Sequence, residues 1–199
     1  MDAIRLSDFV LSAICLVIIS PVLLLIAIAV KVSSKGPALY KQVRVGKNGN
    51  DFTLLKFRTM HVNAENKGLL TVGGRDARIT FLGYYLRKFK VDELPQVINV
   101  LKGDMSIVGP RPEVRRYVDL YNQEQRKVLL VLPGITDYAS IAFRNENEIL
   151  AAAADPEYLY IHEIMPRKIE LNATFITNRN IKEYFSIIFK TVVTSIKGR

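Results

Sequence analysis

The sequence predicts a mostly helical α/β fold in which an N-terminal membrane helix precedes a small β-hairpin and a series of amphipathic helices. Three observations support this prediction: a long apolar segment without charges, two strand-like stretches around an Asn-Gly pair, and apolar residues that recur at helical spacing. The chain of 199 residues has room for one membrane segment and one modest domain, and 49% hydrophobic residues suffice for a core. We therefore expect a membrane anchor at residues 1–35 and a folded domain at 36–199.

The net charge narrows the class of partner. The formal net charge is +9, which favours nucleic acid, an anionic membrane surface or anionic substrates. The apolar N-terminal segment favours the membrane, and basic residues beside it favour the cytoplasmic face. Cys15 is the only cysteine, so no intramolecular disulfide forms, and neither His61 nor His162 has a cysteine near it, which argues against a zinc site.

The N-terminal apolar segment is the first element. No charged residue occurs between Asp8 and Lys31, and about 22 residues of helix rise about 33 Å, enough to span a bilayer core. Ser20-Pro21 lies near its middle, where proline removes one backbone hydrogen bond and the serine hydroxyl can bond the freed carbonyl. Two topologies follow: a kinked helix that crosses the membrane, which the residues alone favour, or a re-entrant helix that enters and leaves on one face.

A linker and a hairpin come next. Residues 33–37 contain serine, glycine and proline and are typical of a linker. Residues 38–45 and 52–57 alternate like strands around Asn48-Gly49, a pair that favours a tight hairpin turn. Residues 61–77 are polar and contain glycine, which predicts a loop.

Helical signals predict most of the remaining chain. The predicted helices span residues 79–89, 92–101, 113–130, 145–154, 157–176 and 181–196. Asp92 falls at or near the N-cap of its helix, and Gly103 is a suitable stop before a loop rich in glycine and proline at 103–112. The last helix carries an apolar stripe that fits either a membrane interface or the core of the domain.

The adjacent acids Asp92 and Glu93 are the first candidates for chemistry. A purely structural interpretation is open, because acids are favoured in the first turn of a helix and aspartate is a good cap. Neighbouring helical residues project about 100° apart, however, so only one of the two can cap. A carboxylate can attack a phosphoryl group, and carboxylates bind magnesium together with substrate phosphates. The flanking cations Arg87, Lys88 and Lys90 can offset the charge of a pyrophosphate.

Three further basic residues are candidates for phosphate contacts. Arg111 lies between two prolines whose fixed φ angles present its guanidinium rigidly. Lys56 and Arg58 alternate along a predicted strand and so point to one face. Each also has a structural interpretation: a salt bridge for Arg111 and a solvated strand face for the other two. The sequence contains no P-loop and no GxGxxG fingerprint.

Ordered blocks of residues between Ser20 and Glu113 carry a resemblance. They are Gly36-Pro37, Lys-Phe-Arg-Thr-Met at 56–60, Asp-Ala-Arg-Ile-Thr at 76–80, Asp-Glu-Leu-Pro-Gln at 92–96, Asn-Val-Leu-Lys-Gly-Asp-Met-Ser at 99–106 and Gly-Pro-Arg-Pro-Glu at 109–113. In these blocks the chain resembles the bacterial sugar transferase family, the monotopic phosphoglycosyl transferases, and especially its small members.

The resemblance implies a reaction and roles for the candidates. Family members transfer a phospho-sugar from a UDP-sugar to a polyprenyl phosphate, usually undecaprenyl phosphate, and release UMP in a ping-pong reaction. This is the first membrane step in the assembly of O-antigen, capsule, exopolysaccharide or glycoprotein glycan. The resemblance makes Asp92 the nucleophile and a metal neighbour, and Glu93 the partner of Mg²⁺. It maps phosphate contacts onto Arg87 and Arg111 by direct motif matches. Lys56 and Arg58 are further phosphate contacts that match the motif less closely.

The resemblance also changes the expected topology. Family members have a re-entrant membrane helix broken at a Ser-Pro pair, which Ser20-Pro21 matches, so re-entry replaces the kinked crossing as our expectation. Residues 36–199 then form a catalytic domain at the cytoplasmic face of the bacterial inner membrane, with interfacial amphipathic helices. Expected partners are the UDP-sugar, undecaprenyl phosphate, membrane lipid, downstream glycosyltransferases and a second copy in a homo-oligomer, and nucleic acid is not expected.

The C-terminal third departs from the family pattern. Asp137 replaces a usual glycine after Pro-Gly-Ile-Thr, Asn63 stands where aspartate is common, and Pro166 is unexpected. These differences leave the sugar unassigned, although N-acetylated amino sugars are favoured by analogy with the small members. A second function class stays open: a membrane-tethered interaction protein whose basic surface binds anionic lipid or nucleic acid.

Overall fold

A computed structural model describes residues 2–62, 64, 76–177 and 179–197 of the chain. The described residues are mostly helical with two small sheets, which confirms the coarse fold prediction. Most of the predicted loop at 61–77, including Asn63, lies outside them. The helices are α1 (Ala3–Ser33), α2 (Phe81–Lys88), α3 (Gln96–Lys102), α4 (Arg115–Val118), α5 (Tyr138–Ala142), α6 (Glu146–Ala152), α7 (Pro156–Leu159), α8 (Met165–Thr177) and α9 (Ile181–Lys197). The strands are β1 (Leu39–Val45), β2 (Asp51–Phe57), β3 (Ser106–Val108) and β4 (Gly134–Thr136).

Helix α1 is long and apolar enough to cross a membrane, judged by its 31 residues and its composition. Asp2 caps its first turn by accepting a hydrogen bond from the Arg5 amide at 2.7 Å. The helix continues without interruption through Pro21, where the sequence predicts a break. The Ser20 hydroxyl donates to the Val17 carbonyl at 2.9 Å. Because that carbonyl is the one that Pro21 leaves without a helical donor, the serine restores its hydrogen bond. Re-entry stays a prediction.

The N-terminal end of α1 is fixed to the folded domain. Ile4 is buried in a core cluster with Val108, Phe175, Tyr184 and Ile187. One turn further on, Asp8 is fully buried, and its Oδ1 accepts hydrogen bonds from Ser106 Oγ at 3.0 Å, the Ile107 amide at 2.8 Å and the Tyr184 hydroxyl at 2.9 Å. Two elements of the domain, β3 and α9, therefore supply the three donors to one carboxylate of the apolar helix.

The C-terminal end of α1 is fixed to the same domain. Val30 is buried with Phe57 of β2 and Leu86 of α2, and apolar residues one to two turns earlier in α1 pack around them. Between the two ends, much of the helix surface is exposed, including Val17, which is 76% exposed. Both ends of α1 are therefore attached to the domain, while its apolar middle is largely exposed.

The two sheets are small. Strands β1 and β2 pair antiparallel from Leu39↔Phe57 to Val45↔Asp51, which confirms the predicted hairpin. Asn48 and Gly49 both have positive φ, at 57° and 76°, as the turn requires. Strands β3 and β4 pair parallel, with Ser106 opposite Gly134, and this sheet was not predicted.

Two helix boundaries differ from the sequence prediction. The predicted helix at 113–130 is wrong as one element, because only α4 and a 3₁₀ turn at Gln125–Leu130 are helical there. Asn122 and Gln125 exchange hydrogen bonds between side chains and backbone amides, both at 2.9 Å, and these bonds replace the helical ones. Helix α3 begins at Gln96, so Asp92 is not its N-cap.

The apolar side chains of helix α9 lie on two faces, one buried and one exposed. Tyr184 and Ile187 are fully buried, which confirms core packing on one side. On the other side Phe185, Phe189 and Val192 are 47%, 69% and 52% exposed. These exposed side chains belong to the stripe for which the sequence predicts a membrane interface, and that role stays a prediction.

Candidate active site

The adjacent acids Asp92 and Glu93 lie in a 3₁₀ turn between α2 and α3. Lys90 enters this turn with a left-handed backbone at φ 58°, which ends the preceding helix and redirects the chain. Glu93 contacts two cations, Lys56 and Arg111. Among the residues that the structure describes, no hydrogen bond or ion pair reaches the Asp92 carboxylate, although Asp92 is only 7% exposed. The turn therefore gives two neighbouring carboxylates different environments.

Glu93 is held by Lys56 and Arg111. Lys56 Nζ lies 3.2 Å from Glu93 Oε1, and Arg111 contacts both carboxylate oxygens, with Nη1 at 3.1 Å from Oε2. Burial alone would raise the pKa of Glu93, but Arg111 and Lys56 outweigh burial and hold that pKa well below its ordinary value. Glu93 is therefore an ionised acid whose charge is already compensated.

Asp92 shows the opposite shift. Burial is the largest cause that raises its pKa above the ordinary value, and the negative charge of Glu93 adds to it. Lys56, Arg87 and Lys90 act against this rise. A buried carboxylate that accepts no hydrogen bond from the described part of the chain, and whose pKa is influenced by several cations, has the features expected of a nucleophile for an anionic substrate.

Arg87 reaches the site from the last turn of α2. Its Nε donates to Thr59 Oγ1 at 2.8 Å, just beyond the end of β2. Gly83 allows this approach, because a Cβ there would overlap the backbone of Thr59. Burial lowers the pKa of Arg87, and the carboxylate of Asp92 acts against that shift. A close helix-to-strand contact therefore places this cation beside Asp92.

Lys56 is positioned by a residue that the sequence analysis did not single out. The Asn99 side chain accepts a hydrogen bond from the Leu55 amide at 3.0 Å and donates to the Thr53 carbonyl at 2.7 Å. These bonds attach α3 to β2, so that Lys56 of β2 faces Glu93. The available signal was the position of Asn99 beside Val100 and three residues after Gln96, on the buried face of α3. Burial lowers the pKa of Lys56, and Glu93 acts against this.

Arg111 is positioned by Asp137, the residue that replaces the glycine of the family pattern. Asp137 is buried, and its Oδ2 accepts hydrogen bonds from the Arg111 amide at 3.0 Å and from Asn172 Nδ2 at 2.6 Å. Its Oδ1 caps α5 by accepting from the Ser140 amide at 2.6 Å. The charge of Glu93 raises the pKa of Arg111. Asp137 therefore fixes the backbone from which the guanidinium reaches Glu93.

The remaining predicted residues lie apart from this cluster. Arg58 directs its guanidinium to backbone carbonyls at the end of α1, including Ser34 and Lys35 at 2.7 and 2.8 Å. Ser20 and Pro21 lie in the exposed middle of α1. The structure thus brings together four of the predicted cations and acids around Asp92: Glu93, Arg87, Arg111 and Lys56.

A cleft of about 150 Å³, open to solvent, adjoins Arg111. Its charged walls are largely paired: Arg44 contacts Glu113 at 3.1 Å and Lys168 contacts Glu146 at 2.8 Å. The Tyr160 hydroxyl also donates to Glu113, and burial followed by Glu113 raises the pKa of Tyr160 well above its ordinary value.

The donor set suits magnesium only in part. Within the described ranges, no group of three or more His, Cys, Asp or Glu side chains could hold a metal ion. Asp92 and Glu93 supply carboxylate oxygens, which magnesium prefers, but Glu93 already accepts from two cations. Magnesium commonly binds through one or two carboxylates and substrate phosphates. The residues present fit the ion when phosphate oxygens complete its shell.

A cluster of cations around two acids gives a site that suits a phosphate-bearing ligand, and the long apolar helix suggests a protein associated with a membrane. The match to known proteins agrees with this class. Residues 2–198 match the family model described as bacterial sugar transferase, and the chain belongs to that family.

Several relatives have assigned names. The chain is 37% identical over 194 residues to the UDP-N-acetylgalactosamine-undecaprenyl-phosphate N-acetylgalactosaminephosphotransferase of Aeromonas hydrophila. It is 38% identical over 192 residues to the UDP-glucose:undecaprenyl-phosphate glucose-1-phosphate transferase of Escherichia coli strain K12. These alignments cover 96% and 94% of this chain but only 43% and 39% of the relatives. A Caulobacter vibrioides relative with the second name is 34% identical, over 94% of this chain and 67% of its own length.

Proposed function

We propose that this protein is a phosphoglycosyl transferase that moves a sugar 1-phosphate from a UDP-sugar to undecaprenyl phosphate and releases UMP. The observation that carries the proposal is the contrast between two adjacent acids: Glu93 is paired with two cations, whereas Asp92 has no hydrogen bond or ion pair with the residues that the structure describes. The names of the relatives support the substrate classes, since they use UDP-sugars and undecaprenyl phosphate.

Asp92 is the proposed nucleophile. One of its carboxylate oxygens attacks the β-phosphorus of the UDP-sugar, and the bond from that phosphorus to the bridging oxygen breaks. UMP leaves with the bridging oxygen, and the phospho-sugar stays on Asp92 as an acyl phosphate. An oxygen of the polyprenyl phosphate then attacks the same phosphorus, and the Asp92 carboxylate is released.

The neighbouring residues stabilise charge during both displacements. Arg87, Lys56 and Arg111 surround the pair and would offset the negative charge of the phosphates. Glu93 holds Lys56 and Arg111 in place while it remains ionised. Magnesium, when bound by the carboxylates of Asp92 and Glu93 together with phosphate oxygens, would neutralise the leaving UMP.

The proposed topology is a re-entrant α1 at the cytoplasmic face of the bacterial inner membrane. What supports it is that both ends of α1 attach to one folded domain, through Asp8 at one end and Val30 at the other. A domain that lies on one side of a bilayer brings both helix ends to that side. Tags at Met1 and Arg199 should therefore both report the cytoplasm, and an external N-terminal tag would overturn re-entry.

The experiment that tests the reaction uses Asp92→Asn. The unmodified protein, incubated with UDP-N-acetylgalactosamine or UDP-glucose and Mg²⁺, should release UMP and retain a phospho-sugar on the protein, detected by intact mass. Asp92→Asn should lose both signals, because an amide is a poor nucleophile. Glu93→Gln is the matched neighbour and should still form the adduct, at a reduced rate. Near-normal turnover by Asp92→Asn would refute the nucleophile. The alternative, a membrane-tethered interaction protein, predicts no UMP from any UDP-sugar.

A further inference from the structure

Arg58 is one of the predicted phosphate contacts, yet the structure uses it differently. Its Nη1 donates to the Lys35 carbonyl at 2.8 Å. Its Nη2 donates to the Ser34 carbonyl and hydroxyl at 2.7 and 2.9 Å, and to the Val30 carbonyl at 3.4 Å. The residue is only 6% exposed. Both terminal nitrogens are therefore occupied by backbone and hydroxyl oxygens at the C-terminal end of α1, where helical carbonyls lack their own donors.

Gly36 is a second, independent sign that this contact is built into the chain. Its φ is +121°, a conformation that residues with a side chain rarely adopt. A Cβ at this position would also overlap the guanidinium of Arg58. The linker after α1 therefore closes over Arg58 in a way that only glycine permits. One contact accounts for two separate sequence blocks, Gly36-Pro37 and the Lys-Phe-Arg-Thr-Met block at 56–60.

Arg58 lies between residues of the active site along the chain. Two positions before it, Lys56 lies 3.2 Å from Glu93. One position after it, Thr59 accepts from Arg87 at 2.8 Å. The end of β2 thus carries three contacts in succession: to an acid of the site, to the end of the membrane helix, and to a cation of the site.

We propose that Arg58 is a positioning residue that fixes the C-terminal end of α1 relative to Asp92, and so sets how a membrane-bound lipid phosphate meets the covalent phospho-sugar. This proposal rests on the proposed function and adds a role for the contact between Arg58, Ser34 and Lys35. UDP-sugar arrives from water and does not depend on α1, whereas the lipid phosphate arrives along the membrane that α1 occupies. Loss of the contact should therefore slow the second displacement and spare the first.

Arg58→Lys is the sharpest test. Lysine keeps the positive charge but lacks the planar fork that reaches several oxygens at once. The first displacement is measured as the burst of UMP from UDP-N-acetylgalactosamine or UDP-glucose without lipid. The second is measured on the same preparation as loss of the protein-bound phospho-sugar after undecaprenyl phosphate is added in mixed micelles. Because both rates come from one preparation, their ratio does not depend on the fraction of folded protein.

We expect Arg58→Lys to slow the lipid-dependent step at least about tenfold, as small misplacements of reacting groups do, with UMP release within about threefold of the unmodified protein. Gly36→Ala should shift the ratio in the same direction. Arg167→Lys, at an exposed arginine of α8, is the control and should leave it unchanged. An unchanged ratio, or a raised KM for the UDP-sugar, would overturn the positioning role. UMP release by the unmodified protein tests the proposed function separately.

Discussion

Glu93→Gln and Asp92→Asn remove one negative charge each from adjacent residues, and we expect opposite effects on stability. The ion pairs of Glu93 hold its pKa below the ordinary value. They therefore stabilise the fold above the pKa of an unfolded glutamate, and this stabilisation is lost as the pH falls through the folded value. The pKa of Asp92 is raised by burial and by Glu93. Asp92 therefore costs stability as the pH rises above the ordinary aspartate pKa, and the cost is complete once the pH exceeds the raised pKa.

The magnitude for Glu93→Gln follows from its contacts. Glu93 accepts two bonds from Arg111 and lies 3.2 Å from Lys56, with 14% of its own side chain exposed. Removing one partner of a buried pair costs about 3–5 kcal/mol. The 34% exposure of the Arg111 side chain allows solvent to compensate part of that loss, so about 2–3 kcal/mol is expected. For a domain of this size, the melting temperature should fall by roughly 5–10 °C.

The assay is thermal unfolding of both variants in one detergent at neutral pH, followed by circular dichroism. Glu93→Gln should melt lower than the unmodified protein and Asp92→Asn should melt higher. The two substitutions are isosteric and adjacent, so each is the control for the other. If both variants lose stability equally, or if Glu93→Gln melts within about 2 °C of the unmodified protein, the electrostatic description of the pair is wrong.

Three further predictions follow from the site and its supports. The rate of UMP release should fall on acidification at a pH above the ordinary aspartate pKa, because Asp92 must be ionised and its pKa is raised. Glu93→Gln should move this acidic limb of the pH–rate profile to lower pH, because the charge of Glu93 contributes to the raised pKa of Asp92. Asp137→Ala removes the acceptor of three hydrogen bonds and should cost about 2–4 kcal/mol in chemical denaturation. The control Asp119→Ala, at an exposed aspartate, should cost far less. Gly83→Ala should lower the melting temperature, since its Cβ would overlap the Thr59 backbone; a neutral effect would contradict the packing of α2.

Much of the fold was predictable because its signals are local. Asn48-Gly49 determines a tight turn by its own backbone preferences, and the periodic apolar residues of α9 define a helix without reference to the rest of the chain. The boundaries failed where side chains compete with the backbone. Asn122 and Gln125 bond each other's amides and end a pattern that otherwise predicts one long helix.

The small parallel sheet was not predictable for a different reason. Each of its strands has only three residues, and their pairing depends on backbone contact between Gly109 and Gly134, which are far apart in sequence. The sequence around Gly109 or Gly134 does not distinguish a glycine that allows close strand pairing from an ordinary loop glycine. Tertiary contacts, rather than local preference, decide these elements.

In the candidate site, too, local signals were predictable and tertiary contacts were not. Asp92, Glu93 and Arg111 were identified from residue types and their neighbours, and the structure brings them together. Arg58 was assigned to the same face as Lys56 by strand alternation, but the strand ends at Phe57 and the end of α1 packs over the next residue. Periodicity describes which way a side chain points and not what it meets there.

The attachment of Asp8 has a consequence for biosynthesis. Its hydrogen bond to Tyr184 joins residues 176 positions apart, and ribosomes add about 5–20 residues per second. Asp8 is therefore synthesised roughly 9–35 s before Tyr184 exists. During that interval the N-terminal end of the helix can be solvated or can make provisional contacts, but it cannot adopt its final docked state. The buried carboxylate of Asp8 therefore gains the last of its three hydrogen-bond donors only when the C-terminal helix is made.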